Sequence, residues 1–327
     1  MKKYFEHDRG VLYNADFLKN EIQDKTAKLI IADPPYFETK GEFDFIWKNF
    51  DEYLKDVDRW ALECKRLLAD NGSLFWFGPS KKIAYTQIIL DRYFKLINNL
   101  VWEKAERDGL FGSTGQKQLR SFPNSTERIL FYSNEWDISS GNLIVNKATI
   151  KSRDYIVEEI TRSKGTVSLK EINKVLGSAT NGGGVASSVL SKNKDENTFI
   201  TKDHYVVLRE WLNRENGGKY LRREYDDLRR PFNNLTESTE VIKVRFTPSE
   251  YNHPTVKPRL LADTLIETCS RKGDVVVIPF SGSGTEAERA AVLNRYFIAF
   301  ELKEEYCLMT SDRIQNHTSQ LRLDDLC

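Results

Sequence analysis

The densest chemistry in the chain is Asp33-Pro34-Pro35-Tyr36, directly after the apolar run 28–32. An exocyclic amine of adenine or cytosine is a poor nucleophile, because its lone pair is delocalised into the ring. Attack on a sulfonium methyl needs that nitrogen rehybridised toward sp3. Two acceptors aimed at its N–H groups favour the change: the Asp33 carboxylate can take one and the Pro34 carbonyl the other. Pro34 and Pro35 hold that carbonyl with little freedom. Tyr36 offers a flat face on which an extruded base can stack. Such a site works by positioning and charge, so it requires no His or Cys. The competing reading is an ordinary Pro-Pro turn after a strand.

The second cluster is 274–285, an apolar strand followed by Phe280-Ser281-Gly282-Ser283-Gly284-Thr285. Gly282 and Gly284 allow a tight turn and close approach of a ligand. Glu301 follows the next predicted strand, 17 residues after Gly284. An acid there matches the one that grips ribose hydroxyls in a nucleoside-binding βαβ unit. A phosphate-binding loop needs a Lys after the glycines, and a dinucleotide site needs a third Gly where Ala287 stands. The pattern fits an adenosyl ligand without a pyrophosphate, and it also fits a plain tight turn.

These residues need a scaffold. Strands are predicted at 28–32, 73–77, 96–102, 129–132, 274–278 and 296–300, with helices at 58–68, 83–90, 258–270 and from about 286. Alternation of this kind implies an α/β fold with a doubly wound parallel sheet. The stretch 104–122, rich in Gly, Ser, Lys and Arg, reads as either a functional lid or a disordered loop. Between 151 and 245 the pattern changes. A capped helix at 168–177, the start of another at 185–190 and a third at 201–212 suggest a helical insert. The charged stretch 219–230 reads as a solvated helix face.

Charge follows the same division. Residues 1–150 are neutral, 151–245 carry +4 and 246–327 carry −3, within a net +1 for the 327 residues. A polyanion would prefer the middle segment. Cys64, Cys269, Cys307 and Cys327 form no CxxC pair, which argues against zinc and disulfides; no metal is expected. None follows a proline, which disfavours the thiolate chemistry of cytosine C5 methylation. No apolar run approaches the about 20 residues of a membrane helix. With no signal-peptide core, a cytoplasmic protein is expected.

Taken together, the chain resembles the β-group of DNA amino-methyltransferases, in which the catalytic half precedes the cofactor half. Asp33-Pro34-Pro35-Tyr36 comes first, the basic insert second and Phe280 to Thr285 last. The stretch 253–258, His-Pro-Thr-Val-Lys-Pro, resembles the family's HPxxKP element. Asn14-Ala15-Asp16 resembles its early acidic motif. The stretch from Asn124 to Phe131, with Glu127, resembles the motif around the base pocket. The resemblance covers about 1–135 and 246–310. It implies a Rossmann-like fold with permuted motif order and S-adenosyl-L-methionine as cofactor. Residues 1–150 would form the catalytic half, 151–245 a target-recognition insert and 246–327 the cofactor half.

By resemblance, Asp33 to Tyr36 are catalytic. Asp16, Asp33, Thr255, Lys257, Phe280, Ser281, Gly282, Ser283, Gly284, Thr285 and Glu301 bind cofactor, with Thr255 and Lys257 at its methionine end. Lys117, Arg120, Lys170, Lys174, Arg222 and Arg223 are candidate contacts to DNA, double-stranded and with the target base flipped out. Asp33 at the head of the tetrapeptide favours N6 of adenine; N4 of cytosine, or an RNA substrate, is the alternative. A homodimer and a cognate restriction endonuclease are the partners suggested, in a prokaryote or phage. Two positions depart from the family. Ile278 replaces the acid before the Gly turn, and Ala299 replaces a glycine. The first motivates a further alternative, a catalytically weak homologue that mainly binds DNA.

Overall fold

The computed structural model describes residues 1–39, 44–104, 125–134, 150–178, 184–187, 200–214, 219–228, 230–234, 239–245, 251, 253 and 255–324. Strand β3 (Ala27–Ala32) runs through the middle of the sheet, and Leu29 to Ala32 are fully buried. Its side chains alternate between two cores, as a period of 2 requires. Leu29 and Ile31 pack with Phe75, Phe77, Val276 and Ile278 under helices α6 (Arg259–Cys269) and α7 (Thr285–Val292). Ile30 and Ala32 pack with Leu74, Trp76 and Val277 under α1 (Phe50–Leu67) and α2 (Ile83–Leu90). Helices on both faces explain why the strand is apolar along its whole length.

The other strands are β1 (Lys3–His7), β2 (Gly10–Asn14), β4 (Leu68–Gly78), β5 (Lys95–Glu103), β6 (Thr126–Ser133), β7 (Val241–Lys243), β8 (Val275–Ile278) and β9 (Tyr296–Glu301). The order is β1-β2-β9-β8-β3-β4-β6-β5-β7. Strands β2, β9, β8, β3 and β4 are mutually parallel, whereas β6 lies antiparallel to both β4 and β5. The doubly wound parallel sheet expected from the sequence forms the centre, and antiparallel strands are added at its margins. Strand direction depends on which neighbour a strand meets, and local periodicity carries no such information.

Helix α1 begins at Phe50 rather than 58, because the Asn49 side chain accepts the Glu52 N–H at 2.9 Å and caps it. Asp70-Asn71-Gly72, expected to close that helix, belongs to the long strand β4. Cys64, Cys269 and Cys307 are buried free thiols, and Cys327 lies outside the described residues.

The chain divides into two compact units, Met1–Asp137 with Phe232–Cys327, and Ile138–Pro231. The second unit begins earlier than 151 and also ends earlier than 245, the latter because β7 pairs with β5 and so belongs to the sheet. The second unit contains α3 (Ile150–Lys164), α4 (Leu169–Val175) and α5 (Lys202–Asn213) around Ile156, Ile160, Ile172, Tyr205, Leu208 and Leu228. Ser168 caps α4 by accepting the Glu171 N–H. Among its described residues, the stretch expected as a charged helix face holds a short 3-10 turn, Tyr225–Leu228. Leu221, Tyr225 and Leu228 all point into this unit's core. Of the helix start expected at 185–190, only 184–187 is described.

Candidate active site

Four parallel strands deliver their carboxyl ends to one crevice. Strand β3 ends at Ala32 and presents Asp33, and its neighbour β8 ends at Ile278 and presents the glycine turn. Strand β9 ends at Glu301 and β2 at Asn14 in register with it, which brings Asp16 alongside. Between β8 and β3 the chain's winding reverses, and open α/β sheets part there to form a cleft. The cleft has a volume of about 680 Å³. Asp33, Pro34, Tyr36, Lys257, Gly282 and Glu301 all line it. Residues as distant in sequence as Asp16 and Glu301 thus share one cavity.

Asp33 is held on both oxygens. The Tyr36 hydroxyl donates to Oδ1 at 2.5 Å, and the Lys257 ammonium donates to Oδ2 at 2.5 Å. Each oxygen keeps a further lone pair. The Tyr36 backbone N–H donates to Asp44 Oδ1 at 2.6 Å, which fixes the turn. Tyr36, expected to offer a stacking face, lines the cleft and is 8% exposed. Burial, and then the Asp33 charge, push its hydroxyl well above the usual tyrosine range, so it stays a donor. Pro34 is buried in the cleft wall, and no described residue donates to its carbonyl.

Lys257, expected at the cofactor's methionine end, lines the cleft with its ammonium on Asp33 and with Glu127 Oε2 at 3.7 Å. Burial works against that charge, but Asp33 and Glu127 outweigh it and hold the ammonium above the ordinary lysine range. Burial likewise raises the Glu127 carboxyl, and Lys257 and Lys104 more than reverse the effect. Lys104 is ion-paired to Glu127. The corner around Asp33 is therefore an alternating cluster of two carboxylates and two ammonium groups.

At the glycine turn, Gly282 has φ 51° and Gly284 has φ 79°, both in the left-handed region. The Gly282 N–H donates to Glu301 Oε2 at 2.8 Å, and the Lys303 N–H donates to Oε1 at 2.9 Å. Glu301 thus ties the turn to the end of β9, and burial raises its carboxyl. Thr285 is fully buried and donates to the Lys257 carbonyl at 3.2 Å, joining the turn to the corner around Asp33. Ser281 and Ser283 are buried, their hydroxyls against Thr310 and Thr285 at 3.3 Å. Phe280 meets Trp60 edge-on at 5.0 Å and Phe17 at 6.1 Å, which makes an aromatic wall beside the turn. Asp16 caps a short turn by accepting the Leu18 N–H at 3.0 Å, and the Thr255 N–H donates to His253 at 3.2 Å. Both Asp16 and Thr255 line the cleft.

Lys170, Lys174, Arg222 and Arg223 are exposed on the helical unit, whereas Lys117, Arg120, Asn124, Pro254 and most of 104–122 lie outside the described residues. His253, from the stretch resembling HPxxKP, also lines the cleft, and several cleft residues were not singled out as site candidates from sequence: Asp44, Trp60, Lys104 and Glu286. Only Glu286 carried a usable signal, as an acid in the turn after a Gly-rich loop.

Comparison with known proteins agrees with this geometry. Residues 27–312 match the DNA methylase family N6_N4_Mtase, and the chain belongs to that family. Among its relatives are the type II methyltransferase M2.LlaDCHI of Lactococcus lactis subsp. cremoris and the DNA adenine methyltransferase YhdJ of Escherichia coli. The first is 23% identical, over 96% of this chain and 92% of the relative. The second is 24% identical, over 95% and 84%. The solved cytosine-N4-specific PvuII DNA methyltransferase shares the fold, with a TM-score of 0.54 and 14% identity, covering 94% of this chain and 86% of that one. No helix among the described residues is long and apolar enough to cross a membrane.

Proposed function

We propose that this chain transfers a methyl group from S-adenosylmethionine to N6 of an adenine flipped out of double-stranded DNA. One observation carries the reading: Asp33 and the Gly282–Gly284 turn open into the same cleft. The residues fit the cofactor. The turn leaves room for close backbone approach, Phe17 and Phe280 supply an apolar face, and Glu301 and Asp16 supply acceptors for ribose hydroxyls. When bound, the cofactor supplies a methyl group on a positively charged sulfur. Asp33 and the Pro34 carbonyl accept the two amine N–H groups and draw electron density onto nitrogen as it attacks. Tyr36 and Lys257 keep the carboxylate aimed at the cleft.

Adenine is favoured by the Asp at the head of the tetrapeptide and by the adenine activity in the name of the YhdJ relative. The test is to express the chain in a host free of DNA methylation and digest its DNA to nucleosides. N6-methyladenine is expected; N4-methylcytosine in its place overturns the base assignment. The homodimer and the companion endonuclease rest on the resemblance alone.

Two further outcomes follow from the proposal. Gly282→Val puts a β-branched residue at φ 51°, with its Cβ 3.2 Å from the His253 ring. Calorimetry should show cofactor affinity falling by about a hundredfold, some 2.7 kcal/mol; unchanged affinity removes the turn from the cofactor site. Target recognition is assigned to the helical unit through Lys170, Lys174, Arg222 and Arg223. Lys170→Glu with Lys174→Glu should weaken DNA binding and reduce the salt slope by about 1 per lost phosphate contact. A slope equal to that of the unchanged protein excludes this face.

A further inference from the structure

Glu286, in the first turn of α7, lines the cleft with Asp33, Lys257 and Glu301, and it is only 6% exposed. The buried cations around it are committed elsewhere. Lys257 pairs with Asp33 and Glu127, and Arg313 pairs with Glu288. Among the described residues none places a cation within ion-pair distance of Glu286. A carboxylate buried this way is costly to keep charged unless a ligand brings the missing cation. The groups facing it are Asp33 at the end of β3, Lys257 before α6, Arg313 on α8 (Glu304–Asp324) and its own backbone amide. Burial first, then the Asp33 charge, push the Glu286 carboxyl up to about 7, against the pull of Lys257, the amide and Arg313.

We infer that Glu286 binds the amino-acid end of the cofactor, pairing its carboxylate with the ligand's α-ammonium group. The inference rests on the reading of the cleft as an S-adenosylmethionine site. The ligand carries two cationic groups, and physical reasoning selects between them. An acid paired with the sulfonium would stabilise a charge that disappears as the methyl leaves, which lowers the ground state and opposes transfer. The ammonium keeps its charge throughout, so pairing with it strengthens binding without opposing the reaction. The sequence context agrees. Ile278, standing where the resembled family has an acid, is 1% exposed in the apolar core. Glu286 returns a carboxyl to the same turn from the helix side.

Calorimetry on the full chain tests this with two ligands. S-adenosylhomocysteine carries the ammonium and lacks the sulfonium, and 5′-methylthioadenosine lacks the amino-acid end altogether. Glu286→Gln should weaken S-adenosylhomocysteine by about tenfold to a hundredfold and leave methylthioadenosine within about twofold. Because Glu286 ionises as the ammonium arrives, binding at about pH 6.5 should release protons in the unchanged protein. That release is read from the dependence of the heat on buffer ionisation enthalpy, and it should vanish in Glu286→Gln. Glu286→Asp, which keeps the charge, should retain it and serves if the Gln variant does not fold. Equal loss for both ligands, or no loss for either, overturns the inference. If the unchanged protein binds neither ligand, the cofactor reading falls and takes this inference with it.

Discussion

Replacing Asp33 by alanine abolishes methyl transfer and leaves the cofactor on the protein. The Asp33 side chain faces the cleft while fastened by Tyr36 and Lys257, so its free lone pairs are the acceptors available to an incoming amine. Removing a preorganised group of this kind costs about a hundredfold to a thousandfold in rate. The glycine turn is braced independently by Glu301 and Thr285, neither of which bonds to the Asp33 side chain. Labelled-methyl incorporation should therefore fall to background, while calorimetric affinity for S-adenosylhomocysteine stays within about threefold. Asp33→Asn, which keeps shape and one acceptor oxygen, should recover part of the rate. If affinity falls in step with rate, Asp33 belongs to the cofactor site and the proposed division of labour is wrong.

The second large effect is expected from Lys257→Met. The apolar stem is retained, but Asp33 and Glu127 lose the buried cation between them. Breaking a buried ion pair from one side costs about 3–5 kcal/mol of stability. The sign with pH follows from the shifts. Lys257 is held above its ordinary range, so its contribution is complete below about pH 10.4 and fades only in strong alkali. Glu127 is held below its ordinary range, so its contribution is present above about pH 4.3 and is lost as acid protonates it. Urea melts from acid to neutral pH should show the variant's deficit widest near neutrality and narrowing in acid, where Glu127 becomes neutral. A deficit that does not change with pH would show that Lys257 acts through packing. Activity should drop as well, because Asp33 loses one of its two supports.

Much of this site was legible in the residues themselves. A buried strand ending in Asp-Pro-Pro-Tyr announces both its position and its chemistry, since two prolines must leave the ladder where the acid appears. The turn at 280–285 was legible because residues 282 and 284 need positive φ, which glycine tolerates and other residues rarely adopt. The charged stretch 219–230 misled because its apolar residues Leu221, Tyr225 and Leu228 stand at i, i+4 and i+7, the spacing of a helix face, whereas the backbone at Leu221 has φ 48° and only a 3-10 turn, Tyr225–Leu228, follows among the described residues. Strands β1 and β2 went unseen because five-residue edge segments of mixed polarity resemble loops.

Local sequence determined which residues carry charge and acceptors, where strands must stop, and which turns require glycine, because those properties reside in a few adjacent side chains and their backbone angles. Tertiary structure alone decided what each charged group meets. Lys257 reads as a ligand contact in isolation and becomes the counter-ion of Asp33 only because β3 and β8 lie side by side. Glu286 reads as an ordinary first-turn acid and becomes a carboxyl without a cation partner among the described residues only because α7 packs it into the cleft. Coulomb energy depends on distance and burial, and for residues more than 200 positions apart in the chain both are set by the sheet order.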